Sequence, residues 1–147
     1  MKNKIAIASD HAGFELKEII KKHLTTLGYE YEDYGTYNAD CVDYPDMIHP
    51  IASDINKNKY ETGIIICGSG NGVAMTANKY LNVRAAICWT TEVAKFARLH
   101  NDANIVSLPA RFIEVDTAKE IVTVFLNTAF EGGRHLTRVN KIKNIIS

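Results

Sequence analysis

Hydrophobic and polar positions along the chain change period repeatedly, and the changes predict strands alternating with helices. Ile5–Ala8 is a short apolar run that stops at Ser9, Asp10, His11, Ala12 and Gly13. Leu16, Ile19, Ile20, Leu24 and Leu27 then fall on one face of a 3.6-residue helix that Gly28 ends. The stretch Tyr29–Tyr34 alternates polar residues with tyrosines, as a strand near a sheet edge does. After a loop over 35–44, Pro45 suits a helix's first turn, and Met47, Ile48, Ile51, Ala52 and Ile55 form its apolar stripe. Pro50 lies inside that stripe and is expected to kink the helix or delay its start.

The run Ile64, Ile65, Ile66 has no polar alternation, which suits a parallel strand covered on both faces. It stops at Cys67, and Gly68, Ser69, Gly70, Asn71 and Gly72 lead into a segment of small residues. Ala85–Cys88 reads as a further buried strand, with Thr90 and Thr91 as candidate caps of a helix carrying Val93, Ala94, Ala97 and Leu99. Ile105–Leu108 is the next strand. Asp116 is expected to cap a helix with Ala118, Ile121, Val122, Phe125 and Leu126 on its apolar face. The final helix follows Gly132 and Gly133, with Val139, Ile142, Ile145 and Ile146 inward.

Five strands alternating with helices predict a single α/β domain over 1–147, with a parallel sheet sandwiched between helical layers. Sites in such sheets lie at the strand carboxyl ends. Asp10, His11, Cys67, the glycine loop and His100 are all expected at or just beyond those ends.

Composition narrows the function classes. Seventeen basic and seventeen acidic residues balance, so nothing marks a nucleic-acid surface. No apolar stretch approaches the roughly 20 residues that span a bilayer. Three cysteines without a C-x-x-C pair, after an N-terminus unlike a signal peptide, fit a reduced cytoplasmic chain without structural zinc.

The glycine loop is the strongest chemical signal. Its glycines alternate, and Val73 stands where a dinucleotide loop needs its third glycine. Gly-Lys-Ser/Thr, which a triphosphate loop requires, is missing, as is the arginine that closes a cysteine-phosphatase loop. What remains is a cysteine beside inward-turning amides, a nest suited to an anion or a developing oxyanion. Free cysteine is also a common small core residue, and Cys88 reads that way. Asp10 alone reads as a helix cap, and His100 alone as part of a solvated loop past a helix end. Arg134 and Arg138 are four apart, so like charges share a helix face and repel by roughly 0.2–0.5 kcal/mol. An anionic partner such as phosphate would offset that repulsion.

Four motifs taken in order, SDHAGFELK, CGSGNG followed by ANK, HNDAN and EGGRHLTRV, resemble the type B ribose-5-phosphate isomerases, a family that includes galactose-6-phosphate isomerase subunits. The resemblance runs from near the N-terminus to the last helix. It implies a Rossmann-like α/β/α sandwich, no metal or cofactor, and a homodimer with shared active sites that can pair into tetramers. The implied reaction is aldose–ketose exchange on a phosphorylated sugar through an enediolate.

By resemblance Cys67 is the base, and the amides of Gly68, Ser69, Gly70, Asn71 and Gly72 hold the negative oxygen. Ser69 moves protons among the sugar oxygens. His100 opens the ring, with Asp10 helping on a hydroxyl. Phosphate falls to His11, Arg134 and Arg138, with Arg111 contributing, while Tyr44 and Asn101 contact the sugar. His100, Asn101 and Arg111 are expected from the neighbouring subunit. One branch of the family uses a glutamate just after the loop in place of the cysteine. Cys67 together with Val73 matches the cysteine branch, although Ser69 replaces the threonine usual at its position. A hexose-6-phosphate isomerase and a non-catalytic sugar-phosphate binder are the alternatives.

Overall fold

A computed structural model describes residues 4–144. Its elements, in chain order, are β1 (Lys4–Ser9), α1 (Phe14–Thr26), β2 (Glu30–Asp33), α2 (Tyr44–Asn56), β3 (Gly63–Cys67), α3 (Asn71–Ala77), β4 (Ala85–Ile87), α4 (Thr91–Leu99), β5 (Ile105–Pro109), α5 (Val115–Asn127) and α6 (Arg134–Ile142). The five strands form one parallel sheet in the order β2-β1-β3-β5-β4. Ile64 of β3 lies beside Ile7 of β1 and Val106 of β5.

The three isoleucines of β3 are fully buried because helices cover both faces of the sheet. Each such side chain contributes about 1.5–3 kcal/mol through burial. On one face Ile7, Ile64, Ile66 and Val106 pack against α1, α4 and α5. On the other, Ala6, Ala8, Ile65 and Ile105 pack against α2 and α3. Strand order reverses between β1 and β3: the chain moves outward from β1 to β2, then crosses back to β3. A crevice opens at such a switch point, beyond the strand carboxyl ends. Asp10 follows one of those two strands and Cys67 ends the other.

Several local expectations are corrected. β4 is only half-buried, because it forms a sheet edge rather than an interior strand. The helix expected to start at Asp116 begins at Val115 with Glu114 as its cap residue, which leaves Asp116 in the first turn. There a carboxylate still faces the positive end of the helix dipole. Pro50 sits inside α2, whose start is not delayed. Ile142 is exposed, while Ile145 and Ile146 lie outside the described residues. Thr90, as expected, caps α4, its hydroxyl accepting the Val93 N–H at 3.1 Å.

One buried ion pair is invisible to a hydropathy reading. Lys17 in α1 is completely buried, and its ammonium donates to both Asp33 carboxylate oxygens at 2.6 Å. Lys21 also reaches Asp33, at 2.9 Å, and the Gly35 N–H donates to Asp33 at 2.8 Å. Burial alone would raise the Asp33 carboxyl. Donation from Lys17, Lys21 and Gly35 outweighs it and holds the group below the usual carboxylate range. Asp33 therefore contributes stability that is present above its unfolded value near pH 4 and lost as pH falls through its lower folded value. Lys17→Met is expected to cost roughly 3 kcal/mol at pH 7, at the low end for breaking a buried pair because Lys21 remains. Urea unfolding at pH 7 and pH 3 should show the gap between wild type and variant narrowing in acid; an unchanged gap would remove Asp33 from the account.

Candidate active site

The carboxyl ends of β1 and β3 form a polar cup. Asp10 is buried, its N–H donates to the Ile66 carbonyl at 3.2 Å, and its Oδ1 accepts the Gly13 N–H at 3.0 Å. Gly13, not Asp10, is the residue that precedes α1, so Asp10 braces the turn and leaves the helix end uncapped by a side chain. The same turn needs a glycine, because a Cβ at position 13 would lie 2.6 Å from the Ile66 carbonyl oxygen.

Cys67 ends β3 nearly buried, and its Sγ accepts the Gly70 N–H at 3.1 Å. That contact becomes a charge-assisted hydrogen bond once the sulfur is a thiolate. The Ser69 hydroxyl accepts the Asn71 N–H at 3.2 Å, and the Ser107 hydroxyl donates to the Gly70 carbonyl at 2.7 Å. Gly70 alone of the loop's three glycines adopts a positive φ, +76°. Gly68 and Gly72 serve close approach instead. A Cβ at Gly68 would meet the Arg111 guanidinium at 3.0 Å, and one at Gly72 the Tyr44 ring at 2.5 Å.

The loop over 35–44 closes the cup from the side. Its Val42 N–H donates to His11 Nδ1 at 3.2 Å, and Cys41 Sγ lies 3.7 Å from His11 Nε2. Tyr44 opens α2 against Gly72. The Arg111 N–H donates to the Gly68 carbonyl at 3.0 Å. Asp10, His11, Tyr44, Cys67, the glycine loop and Arg111 thus gather at one end of the sheet. The placement of Arg111 on a neighbouring subunit is corrected: its guanidinium lies against the glycine loop of its own chain.

The expectation for His100 is corrected as well. α4 leaves the carboxyl end of β4 and runs back across the sheet, so its last residues lie near the amino end of β5. His100 follows Leu99 there, with Asn101 next to it. The His100 ring stacks on His135, centroids 4.2 Å apart and planes 13° from parallel, with Phe96 4.9 Å away. Glu131 anchors the loop before α6, its N–H donating to the Leu99 carbonyl at 3.1 Å. Arg134 and Arg138 lie one turn apart on α6, both exposed. One chain therefore carries the candidate residues as two separate groups, at opposite ends of the sheet.

His135 and Glu131 were not singled out in the sequence, although their spacing of four residues was a readable signal. Burial, and then the nearby His100, hold the His135 imidazole below its ordinary value. Cys88 is a core residue as expected, its thiol pushed up to about 12 by burial.

An open groove of about 530 Å³ runs beside β4, lined in part by Leu81, Arg84, Ala85, Asn101 and Ile142. It lies away from Cys67. Leu81, Trp89, Phe96 and Ile142 are large, apolar and exposed along this side. No helix among the described residues is long and apolar enough to cross a membrane.

Residues 5–142 match the family model described as ribose/galactose isomerase. Ribose-5-phosphate isomerase B of Escherichia coli is 39% identical over 142 residues, covering 97% of this chain and 95% of that protein. The crystal structure of a ribose 5-phosphate isomerase from Thermotoga maritima superposes with a TM-score of 0.95 at 48% identity, covering 99% of this chain and all of that one. Ribose-5-phosphate isomerase B of Mycoplasma genitalium, solved with bound ribulose 5-phosphate, superposes with a TM-score of 0.92 at 43% identity, covering 95% and 93%. With its motifs in order along one parallel sheet, this chain belongs to the ribose/galactose isomerase family.

Proposed function

We propose that the chain is an aldose–ketose isomerase interconverting ribose 5-phosphate and ribulose 5-phosphate. The observation that carries the proposal is the cup at the β1/β3 switch point, where the Gly70 N–H meets the Cys67 sulfur beside buried Asp10. The ribulose 5-phosphate complex of the Mycoplasma genitalium relative supports the choice of sugar.

In this reading the Cys67 thiolate takes the proton from C2 of the open-chain aldose and returns it to C1. Negative charge then collects on the C1 and C2 oxygens of the enediolate. Fixed donors offset it, each typically worth about 10²–10³ in rate. The Gly70 amide is engaged by sulfur and the Asn71 amide by Ser69. The amides of Gly68, Ser69 and Gly72 are therefore the proposed oxyanion donors. The Ser69 hydroxyl passes a proton between the two oxygens, and Asp10 holds a sugar hydroxyl.

The separation of the two groups supports a homodimer with shared sites. His100 and Asn101 of a second copy would reach the cup, His100 to open the sugar ring and Asn101 to contact the sugar. Arg134 and Arg138 of that copy would join His11 and Arg111 around the phosphate, with Tyr44 against the sugar. An unpaired β4 edge flanked by exposed Leu81, Trp89 and Ile142 favours coverage by another subunit. Pairing of dimers into tetramers and a cytoplasmic setting belong to the same proposal.

Rates on ribose 5-phosphate, galactose 6-phosphate and allose 6-phosphate test the substrate directly. The pentose phosphate is expected to turn over fastest; faster turnover of a hexose phosphate would move the proposal to that sugar. Loss of all three activities would leave only a binding protein. Arg134→Ala is expected to raise KM for ribose 5-phosphate about 10- to 100-fold with kcat little changed, because a phosphate contact made equally in ground and transition states is uniform binding. Steady-state kinetics check this, and an unaltered KM would take Arg134 out of the phosphate site.

A further inference from the structure

We propose that His100, Glu131 and His135 form a binding site for a divalent transition-metal ion, with Zn²⁺ as the type ion. Glu131 Oε2 lies 3.6 Å from His100 Nε2 and 3.7 Å from His135 Nε2. All the donor atoms fall within 4.8 Å of one another. A tetrahedral ion with bonds of about 2.1 Å holds its ligands roughly 3.4 Å apart, so the cluster is already near that size.

The second observation is His135 itself. Its side chain is only 9% exposed, and its Nε2 is buried without a hydrogen-bond partner. Buried polar nitrogens are nearly always satisfied, and this one points at the carboxylate of the cluster. Two imidazoles and a carboxylate are a familiar donor set for zinc with one position open. The cluster is also preorganised. Glu131 precedes α6 while His100 ends α4, and the bond from the Glu131 N–H to the Leu99 carbonyl ties the two segments.

The rings stack 4.2 Å apart and 13° from parallel, and both Nε2 atoms lie within 3.7 Å of Glu131 Oε2. Rotation about the broad χ2 torsion of histidine converges them on one ion. Arg134 and Arg138 on the following turns oppose a cation, so affinity is moderate rather than extreme. The consequence for turnover rests on the ring-opening reading of His100: an ion on His100 Nε2 stops that nitrogen exchanging protons with the sugar.

The test is titration of the full chain, freed of metal by chelation, with Co²⁺ as a spectroscopic probe. One saturable Co²⁺ per chain is expected, with visible absorption that Zn²⁺ displaces. Glu131→Gln and His135→Asn should each weaken binding at least about 10-fold, whereas Cys67→Ala should leave it unchanged. Glu131 is 54% exposed, so its variant keeps the test valid if the His135 variant fails to fold. Absence of saturable binding, or binding that survives Glu131→Gln undiminished, overturns the site. Zn²⁺ should also inhibit isomerisation in wild type, reversibly with chelator, and spare Glu131→Gln. Co²⁺ binding without inhibition upholds the site and counts against the role of His100. A metal-free chain that never isomerises ribose 5-phosphate counts against the proposed function, and the cobalt titration is unaffected by it.

Discussion

Cys67→Ala is expected to lower kcat about 10³- to 10⁴-fold, while ribose 5-phosphate still binds and the chain unfolds at nearly the same urea concentration. A positioned base contributes typically about 10²–10⁴ in rate, and here nothing else beside the loop replaces it. Asp10, the carboxylate that shares the cup, has its Oδ1 engaged by the Gly13 N–H. Removing one sulfur from a site at 6% exposure leaves a small void, far less costly than loss of a branched core side chain. Cys67 is not among the proposed phosphate contacts, so KM should move little. Stopped assays with purified variant, together with isothermal titration of the sugar phosphate, separate these effects. Wild-type turnover in the variant would exclude the sulfur from the chemistry.

The second large effect is recovery of activity from two dead proteins. Cys67→Ala and His100→Asn homodimers should each be nearly inactive on cyclic substrate. In the proposed two-fold dimer the same patches meet on both sides, so each site would draw its cup from one copy and its ring-opening group from the other. A hybrid then holds one site with both lesions and one with neither. Statistical mixing makes half of the dimers hybrid, so activity should return to about a quarter of wild type. Co-expression with two affinity tags isolates the hybrid, where about half of wild-type activity is expected. No recovery would mean that each site is built within one chain. That outcome conflicts with the placement of His100 near the amino end of β5.

Much of this architecture was legible because it follows from local periodicity. The isoleucine run of β3, the stripe of α1 and the threonine cap of α4 each declare themselves within a few residues. The positions of Cys67 and Asp10 followed from the rule that ligands meet parallel sheets at their carboxyl ends. His100 was misplaced although the same topology held the answer, since a helix crossing back to a parallel strand must finish near that strand's amino end. The half-burial of β4 depended on strand order, which local pattern does not encode. Gly68 and Gly72 are required by Arg111 and Tyr44, residues 43 and 28 positions away in the chain. The burial of Lys17 is not legible from local pattern, because its partner Asp33 lies on another element. Glu131 and His135 are four residues apart in sequence, but Glu131 precedes α6, so their meeting with His100 depends on the fold.

Proton transfer at the Cys67 cup is tested most directly by isomerising ribose 5-phosphate in D₂O and reading deuterium at C1 and C2 by NMR. Wild type should place solvent deuterium at C1 of ribulose 5-phosphate and, on return, at C2 of recovered ribose 5-phosphate, while Cys67→Ala incorporates essentially none. Deuterium entering at the wild-type rate without the thiol would contradict the account.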